Sequence, residues 1–199
     1  MSMRLQEIHP ALVHFPITLL PTALSADAIG RLTGSESLME MGRRTMPFAA
    51  AAALAAGISG LIAQEAVRAE GKAHDDLITH RNLNLALIGL TAILATKRSK
   101  TRRPSLGYLA AGLAGLGAMS YTAYLGGRMV YEHGVGVRPA GGVLAGAAPE
   151  VRLDNAPHVA KLAGEDIVHG AQHAAADLAD GKIVPSLTDS SHDGGAGRR

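Results

Sequence analysis

Four stretches of the chain contain no charged residue. They cover residues 8–26, 45–64, 82–96 and 104–127. Apolar residues occupy every face of these stretches, whereas a soluble amphipathic helix keeps one polar face. A membrane-spanning helix needs about 20 apolar residues. We therefore predict an all-α protein, a bundle of four transmembrane helices followed by a polar C-terminal tail. The predicted spans are residues 10–30, 46–66, 80–97 and 106–128.

Two other interpretations of the pattern remain open. A soluble Ala-rich helical bundle would have similar apolar runs, but it would carry charges at every turn of its outer side. The start of the chain, MSMR followed by an apolar run and TALSA, also resembles a cleaved signal peptide. His14, Pro16 and Pro21 interrupt that apolar run, which favours a retained first span.

Small residues replace large ones in these predicted helices. The chain has 24 Gly and 36 Ala, and its aromatic content is 3%. Ala111 and Gly115 lie four residues apart in the fourth span, as do Ala53 and Gly57 in the second. This spacing lets helix backbones approach closely in lipid. It predicts tight packing within the bundle, and it also allows a homo-oligomer through such faces.

The composition changes after the fourth predicted span. We predict a transmembrane domain over residues 1–137 and an extramembrane tail over 138–199. A helix is expected near 155–180, with the rest of the tail disordered. Its predicted apolar face is formed by Val159, Ala163, Ile167, Ala171 and Leu178.

A second stripe of this tail helix is polar. It consists of Glu165, His169, His173 and Asp177. Two His residues four apart can share a metal ion, but a stripe of this kind is more typical of a solvated helix face.

The basic residues predict the orientation in the membrane. The connections after the first and third spans hold eight: Arg31, Arg43, Arg44, Lys97, Arg98, Lys100, Arg102 and Arg103. The opposite side has five close to the spans: Arg4, Arg68, Lys72, Arg81 and Arg128. The positive-inside rule places the eight in the cytoplasm. We therefore predict a multi-pass protein of the cell inner (cytoplasmic) membrane, with both termini outside the cytoplasm.

The absence of cysteine restricts the chemistry. The chain has 0 Cys, which excludes disulfides, thiolate metal sites, iron–sulfur clusters and covalent haem attachment. The net charge of +2 gives no reason to expect a nucleic-acid partner. The sequence also contains no phosphate-binding loop, dinucleotide fingerprint or nucleophile elbow. Asp27 is expected to be a polar residue at the membrane interface.

Histidine is the remaining strong ligand. In an up-and-down bundle, five of the nine His residues come to the outer membrane face: His9, His14, His74, His80 and His133. Ionisable groups at such positions are candidates for function. Ligands from different helices suit a b-type haem held by two axial imidazoles. We expect His14 and His80 to form this pair, with His9 and His133 as a second pair or as supporting residues.

The haem hypothesis includes two arginines, and two alternative functions stand beside it. Arg81 and Arg128 lie near the same face and are expected to bind the haem propionates. Three of the same five His residues could instead bind zinc or copper. A structural or accessory subunit without any cofactor is a third alternative.

Two blocks of the sequence resemble a known family. They are IHPALVHFPITLL at 8–20 and YLGGRMVYEHGVGV at 124–137. The first contains His9 and His14, the second contains His133, and His80 opens the third span as in that family. The chain resembles domain of unknown function family 2231, bacterial proteins with four predicted spans, over about residues 5–137.

The resemblance implies a role but no established activity. Some members of the family are fused to cytochrome c or Rieske modules, which implies electron transfer at the outer membrane face. This chain has no such module, so the resemblance implies a separate periplasmic or membrane redox partner. An electron-transfer or accessory protein is expected rather than a stand-alone enzyme.

Overall fold

The computed structural model describes residues 3–144 and 149–188. Its helices are α1 (Ile8–Leu12), α2 (His14–Thr33), α3 (Glu36–Glu65), α4 (Lys72–Ser99), α5 (Leu106–Tyr131), α6 (Ala156–Ala179) and α7 (Pro185–Thr188). Short 3-10 turns occupy Leu5–Glu7, Arg138–Ala140 and Leu153–Asn155. The described residues form no strand beyond two isolated bridges. The all-helical prediction is therefore confirmed.

Each predicted span lies in a longer helix or helix pair. α3 begins about ten residues before its apolar run, and α4 begins at Lys72 rather than near residue 80. Charge-free stretches mark only the apolar part of a helix, because its ends continue into polar surroundings. The first span is interrupted at Val13, between α1 and α2. Pro16 lacks the N–H that would bond to residue 12, which accounts for the break.

The helices α2, α3, α4 and α5 form an up-and-down bundle. α2 packs on α3 and α5, and α4 packs on α3 and α5. Gly34, with a φ of 73°, ends α2 in the left-handed conformation, and Ser35 and Ser105 cap α3 and α5 with their hydroxyl groups. The core contains Leu20, Ala23, Leu24, Met46, Ala49, Leu94 and Tyr108.

Close backbone approach contributes to this packing, as the small residues predict. A Cβ atom at Gly57 would overlap Ile88, and one at Gly112 would overlap Leu24. Substituting either glycine would therefore force the Ile88 or the Leu24 side chain to move.

The outer surface of the bundle is apolar. Large exposed side chains include Phe15, Phe48, Leu54, Ile93 and Leu113. Three helical segments are long and apolar enough to cross a membrane: Leu5–Thr33, Glu36–Glu65 and Lys72–Ser99. α5, which has 26 residues, is not among these three segments.

Asp27 does not lie at a solvated interface as predicted. It is fully buried and is paired with Arg98 of α4, whose side chain is also fully buried. The two residues are 71 positions apart in the sequence, so their pairing could not be predicted from a local pattern.

The helix predicted near 155–180 is present as α6. Its buried residues are Val159, Gly170 and Ala174, whereas Ala171 and Leu178, predicted on the apolar face, are exposed. Gly170 allows the close contact, because a Cβ there would lie 2.9 Å from the carbonyl oxygen of Leu61 on α3. The predicted disorder at 189–199 and at 145–148 falls outside the described residues.

Candidate functional site

A cavity of about 620 Å³ opens among α1, α2, α3, α4 and α5. Apolar side chains line most of it, including Leu20, Leu87 and Met119. Polar side chains are concentrated toward one end, where α3 and α5 finish and α4 begins. They include Gln6, His9, Gln64, His80, Arg81, Asn84 and Thr122.

His80 enters this site from the first half of α4. Its Nδ1 donates to the backbone carbonyl of Thr122 on α5 at 2.8 Å. Gly126, one turn further along α5, leaves room for the ring, because a Cβ there would lie 3.3 Å from His80 Cε1. The Thr122 carbonyl therefore orients the His80 ring, and the glycine at position 126 leaves the space that the ring occupies.

His9 is held in a similar way by α3. Its Nδ1 lies 3.0 Å from the backbone carbonyl of Ala56 and 3.3 Å from the hydroxyl of Ser59. Ser59 itself donates to the Ala56 carbonyl at 2.8 Å. Gly60 leaves room for this ring, since a Cβ there would lie 3.1 Å from His9 Cε1.

The two imidazoles are neighbours. Their ring centres lie 6.4 Å apart, and the ring planes are inclined at 89°. Because a carbonyl oxygen only accepts, the Nδ1 atom of each ring carries its hydrogen. Each neutral ring therefore keeps an unprotonated Nε2, the form in which histidine binds a metal ion.

His80 lies beside His9 in the structure, whereas His14 is the partner that the sequence predicts. The side chains of His14 and His74 are exposed. The five-residue spacing places His9 and His14 on different sides of the helix axis, and His9 is the one that faces α3.

His133 lies close to a buried carboxylate. Its Nε2 is 3.6 Å from an oxygen of Asp76, one turn before His80 on α4. Asp76 also accepts from the hydroxyl of Ser186 at 2.7 Å. This group is a polar cluster at the end of the bundle, and His133 does not line the cavity lined by His9 and His80.

Both arginines predicted to bind propionates have carboxylate partners within the chain. Arg128 donates from Nε and Nη2 to Asp76 at 2.9 and 3.0 Å. Arg81 donates to Asp177 of α6 at 2.8 Å, and both side chains are largely buried. Each guanidinium thus neutralises an acidic group of the chain itself.

The tail covers this end of the bundle. Asn82 donates to the carbonyls of Lys182 and Ile183, and the Ser186 amide donates to Thr79. Burial alone would raise the pKa of Asp177, but Arg81 and Lys182 outweigh it and lower this pKa below its usual value. The end of α6 is thus held to α4 by the Arg81–Asp177 ion pair, and the segment after α6 by hydrogen bonds between side chains and backbone groups.

Two members of the polar stripe on α6 contact the bundle. Asp177 binds Arg81, and His173 lies 3.1 Å from Glu65. His169 is exposed, and Glu165 pairs with Lys161 at 3.8 Å. The solvated face predicted here is therefore only partly solvated.

A metal site made from protein ligands alone is not present in residues 3–144 and 149–188. No group of three or more His, Cys, Asp or Glu side chains there could hold a metal ion. The predicted zinc or copper alternative thus has no ligand set among these residues.

Residues 6–139 match the family DUF2231, described as a predicted membrane protein. The chain belongs to this family. The match includes His9, His80 and the whole of α2 to α5, whereas α6 and α7 lie beyond it. Membership in DUF2231 and the apolar helices identify a multi-pass membrane protein. No curated protein and no solved structure matches the chain.

Several residues of the site were not predicted. The Thr122 and Ala56 carbonyls are backbone groups and leave no sequence signal. Gly60 and Gly126 were visible as small residues, but small residues occur throughout both helices, so spacing alone could not separate ring contacts from helix packing.

Proposed function

We propose that this membrane protein binds a b-type haem through His9 and His80 and transfers electrons at one face of the membrane. The observation that carries the proposal is the pair itself. Two imidazoles from different helices line one apolar cavity, and a backbone carbonyl orients each ring through its Nδ1.

The number of protein side chains available as ligands, two, favours haem over a simple metal ion. A structural or catalytic zinc ion takes three or four protein ligands. A porphyrin supplies the four equatorial nitrogens itself, so the protein needs to supply only axial groups. When bound, haem would supply one-electron redox chemistry. The contribution of the chain is to orient the imidazoles and to keep water from the site.

The dimensions of the site also support this proposal. The ring centres of His9 and His80, which would hold the haem, lie 6.4 Å apart. The cavity volume of about 620 Å³ lies within the range of roughly 300–1,000 Å³ that is common for small-molecule sites.

We further propose that α5 is a fourth span. Tyr108 at its start reaches Asp27 at the end of α2, and Thr122 near its other end reaches His80 near the start of α4. α5 thus runs between the same two levels as its neighbours. Its 26 residues correspond to about 39 Å of helix, which exceeds the roughly 30 Å of a bilayer core.

The charge distribution supports one orientation in the inner membrane. Eight basic residues lie at the Asp27 level of the bundle or in the adjoining connections, against Asp27, Glu36 and Glu40 as the acidic ones. The positive-inside rule places that level in the cytoplasm. The His9–His80 level and both termini then face outward, where a separate redox partner would exchange electrons.

Absorption spectroscopy tests the function. Protein purified from haem-replete cells should show a Soret band and, after reduction, sharp α and β bands typical of two axial imidazoles. His9→Ala and His80→Ala should each lose this spectrum. His14→Ala and His74→Ala change exposed histidines outside the pair and should retain it.

Two results would overturn the proposal. One is a wild-type protein that is folded but contains no haem by the pyridine assay. The other is a haem spectrum that survives unchanged in both His9→Ala and His80→Ala.

A further inference from the structure

A second cavity lies where α4 ends and α5 begins. Its volume is about 300 Å³, and it is lined by Lys97, Lys100, Thr101, Ser105 and Tyr108. Four of these five side chains are exposed, whereas Tyr108 is buried. The Tyr108 hydroxyl donates to Asp27, so this cavity, called the lysine cavity below, lies at the Asp27 end of the bundle. It is therefore separate from the site of His9 and His80.

The connection that forms the wall of the lysine cavity is held in place by two arginines. Arg98 donates to the carbonyl of Thr101 at 2.6 Å, and Arg31 donates to the carbonyl of Pro104 at 2.7 Å. Both hydrogen bonds tie the chain between α4 and α5 to the bundle. The lysine cavity is thus formed by the protein before any ligand binds.

The positive charge of the lysine cavity is not neutralised by an acidic side chain. Within residues 3–144 and 149–188, the ammonium groups of Lys97 and Lys100 have no carboxylate partner. Asp27 is bound inside the bundle, and Glu40 is bound by two arginines of its own helix. Glu36, the third acidic residue at this end, is exposed at the start of α3. Two cations beside one cavity therefore favour an anionic ligand.

The polar groups of the lysine cavity suit a phosphate group. Lysine binds phosphate as a point charge, and its ammonium group has three hydrogens to donate. The Ser105 hydroxyl accepts the Tyr108 amide at 3.2 Å, which leaves its own hydrogen for donation to a ligand. None of the five lining residues is acidic. The cavity therefore offers no partner for the cationic choline or ethanolamine of a zwitterionic lipid.

The apolar surface beside the lysine cavity favours a lipid as the source of this phosphate. Ile93, one turn before Lys97 on α4, is 55% exposed, and Leu106, next to Ser105, is 69% exposed. Both lie in the charge-free stretches 82–96 and 104–127, whose outer surface contacts acyl chains in a membrane-spanning protein. The lysine cavity thus lies at the level where the apolar surface ends and lipid headgroups begin.

We propose that the lysine cavity binds the headgroup phosphate of an anionic phospholipid. Lys97 and Lys100 supply the positive charge, and Ser105 donates a hydrogen bond. The acyl chains of this lipid lie along the exposed apolar surface of Ile93 and Leu106. Basic residues grouped next to a membrane span attract anionic headgroups in this way. The proposal does not depend on haem, because the lysine cavity lies at the other end of the bundle.

The experiment measures lipid binding to the purified, delipidated full chain in detergent by native mass spectrometry. Each protein is titrated with phosphatidylglycerol and, separately, with phosphatidylcholine of the same acyl chains. Lys97→Gln/Lys100→Gln removes both charges of the cavity, and Lys97→Arg/Lys100→Arg keeps them. The matched control is Arg102→Gln/Arg103→Gln, which removes two exposed charges of the same connection that do not line the cavity.

We expect wild type to bind phosphatidylglycerol about tenfold more tightly than phosphatidylcholine. Lys97→Gln/Lys100→Gln should weaken phosphatidylglycerol binding about 30-fold, the effect of roughly 1 kcal/mol for each lysine. The control Arg102→Gln/Arg103→Gln should weaken it less than about threefold, because solvent and salt screen charges outside the cavity. Lys97→Arg/Lys100→Arg should bind as tightly as wild type. All four side chains are exposed, so the variants should fold as wild type does.

Three results would overturn the proposal. Equal affinity of wild type for the two lipids would show that the charge of the headgroup is not recognised. Equal losses in the two glutamine variants would assign binding to the overall charge of this face rather than to the cavity. Displacement of phosphatidylglycerol by inorganic phosphate at the same concentration would assign the cavity to a free phosphate ion.

Discussion

Arg98 binds both carboxylate oxygens of Asp27 inside the bundle. Its Nε lies 2.9 and 2.8 Å from Oδ1 and Oδ2, and neither side chain exposes any surface. The remaining guanidinium donors bind the carbonyls of Met39 and Thr101. Tyr108 donates its hydroxyl to Asp27 at 2.8 Å. This cluster joins α2, α3, α4 and α5 at the end opposite the histidine pair.

Removing one charge of this pair should be strongly destabilising. Arg98→Met leaves Asp27 buried without its cation, and losses of this kind cost about 3–5 kcal/mol. Denaturant unfolding in detergent, followed by circular dichroism, should show this decrease in the free energy of unfolding.

Two further variants make the result specific. Asp27→Leu combined with Arg98→Met removes both charges and should recover much of the lost stability. Arg44→Met, which removes an exposed partner of Glu40, should leave the unfolding curve unchanged. An Arg98→Met protein as stable as Arg44→Met would contradict the structural role of the pair.

The buried pair illustrates the limits of sequence reasoning. Charge-free stretches predicted four helices because burial in lipid excludes charge along each stretch. Asp27 was assigned to the membrane interface and Arg98 to the connection after the third span, because each stands at the edge of such a stretch. Their pairing depends on how α2 and α4 are placed against each other, which a one-dimensional pattern does not contain.

The same limit applies to the histidines. The alternating direction of the predicted spans placed His9 and His80 at the same membrane face. In the structure both residues line one cavity. The prediction of His14 rather than His9 used positions along the chain alone, which do not show which face of the first helix turns toward α3. That choice depends on the break at Val13 and on the space at Gly60.

The Asp27–Arg98 pair should require a residue without a side chain at position 42, which is Gly42. A Cβ atom at this position would overlap the carboxylate of Asp27 and lie 2.9 Å from the Ala23 carbonyl. We expect Gly42→Ala to lower the free energy of unfolding by about 1–3 kcal/mol, as overpacking usually does.

Gly117→Ala is the matched control for Gly42→Ala. No atom lies within 4 Å of a Cβ at Gly117. Alanine has the higher helix propensity, so this variant should be as stable as wild type or slightly more stable. Thermal unfolding of the two variants side by side checks the prediction, and equal melting temperatures would refute it.

Gly126 should control the position of the His80 ring. A Cβ there would press on His80 Cε1 at 3.3 Å, whereas no atom lies within 4 Å of a Cβ at the adjacent Gly127. In the proposed haem complex, we expect Gly126→Ala to accelerate haem loss to excess apomyoglobin several-fold, because a displaced His80 ring would be a weaker ligand. Gly127→Ala should match wild type, and a reversed order of the two rates would exclude this role for Gly126.

The Arg81–Asp177 pair should make docking of the tail sensitive to acid. Arg81 lowers the pKa of Asp177 in the folded protein. The resulting stabilisation is complete above the unfolded-state pKa of about 4 and is lost as the pH falls through the lower folded-state value. Asp166 acts in the opposite sense, since burial and the charge of Glu65 raise its pKa.

Spin labels on two introduced cysteines can measure this docking, since the chain has 0 Cys of its own. Labels at Arg68→Cys and His169→Cys, both exposed sites, should give a narrow distance distribution at pH 7. It should broaden below about pH 4. Asp177→Asn should already be broad at pH 7, whereas Glu165→Gln should stay narrow. A narrow distribution for Asp177→Asn would show that the pair does not anchor the tail.

Single-cysteine labelling should also reveal whether α5 crosses the membrane. Ser37→Cys and Thr101→Cys lie in connections at the Asp27 end, and Glu70→Cys lies at the histidine end. Leu153, which is 99% exposed, follows α5. With four spans, a membrane-impermeant maleimide added to intact cells should label Glu70→Cys and Leu153→Cys. Ser37→Cys and Thr101→Cys should react only after the cells are opened. If α5 does not cross, Leu153→Cys would instead react together with Thr101→Cys, so this one site separates three spans from four.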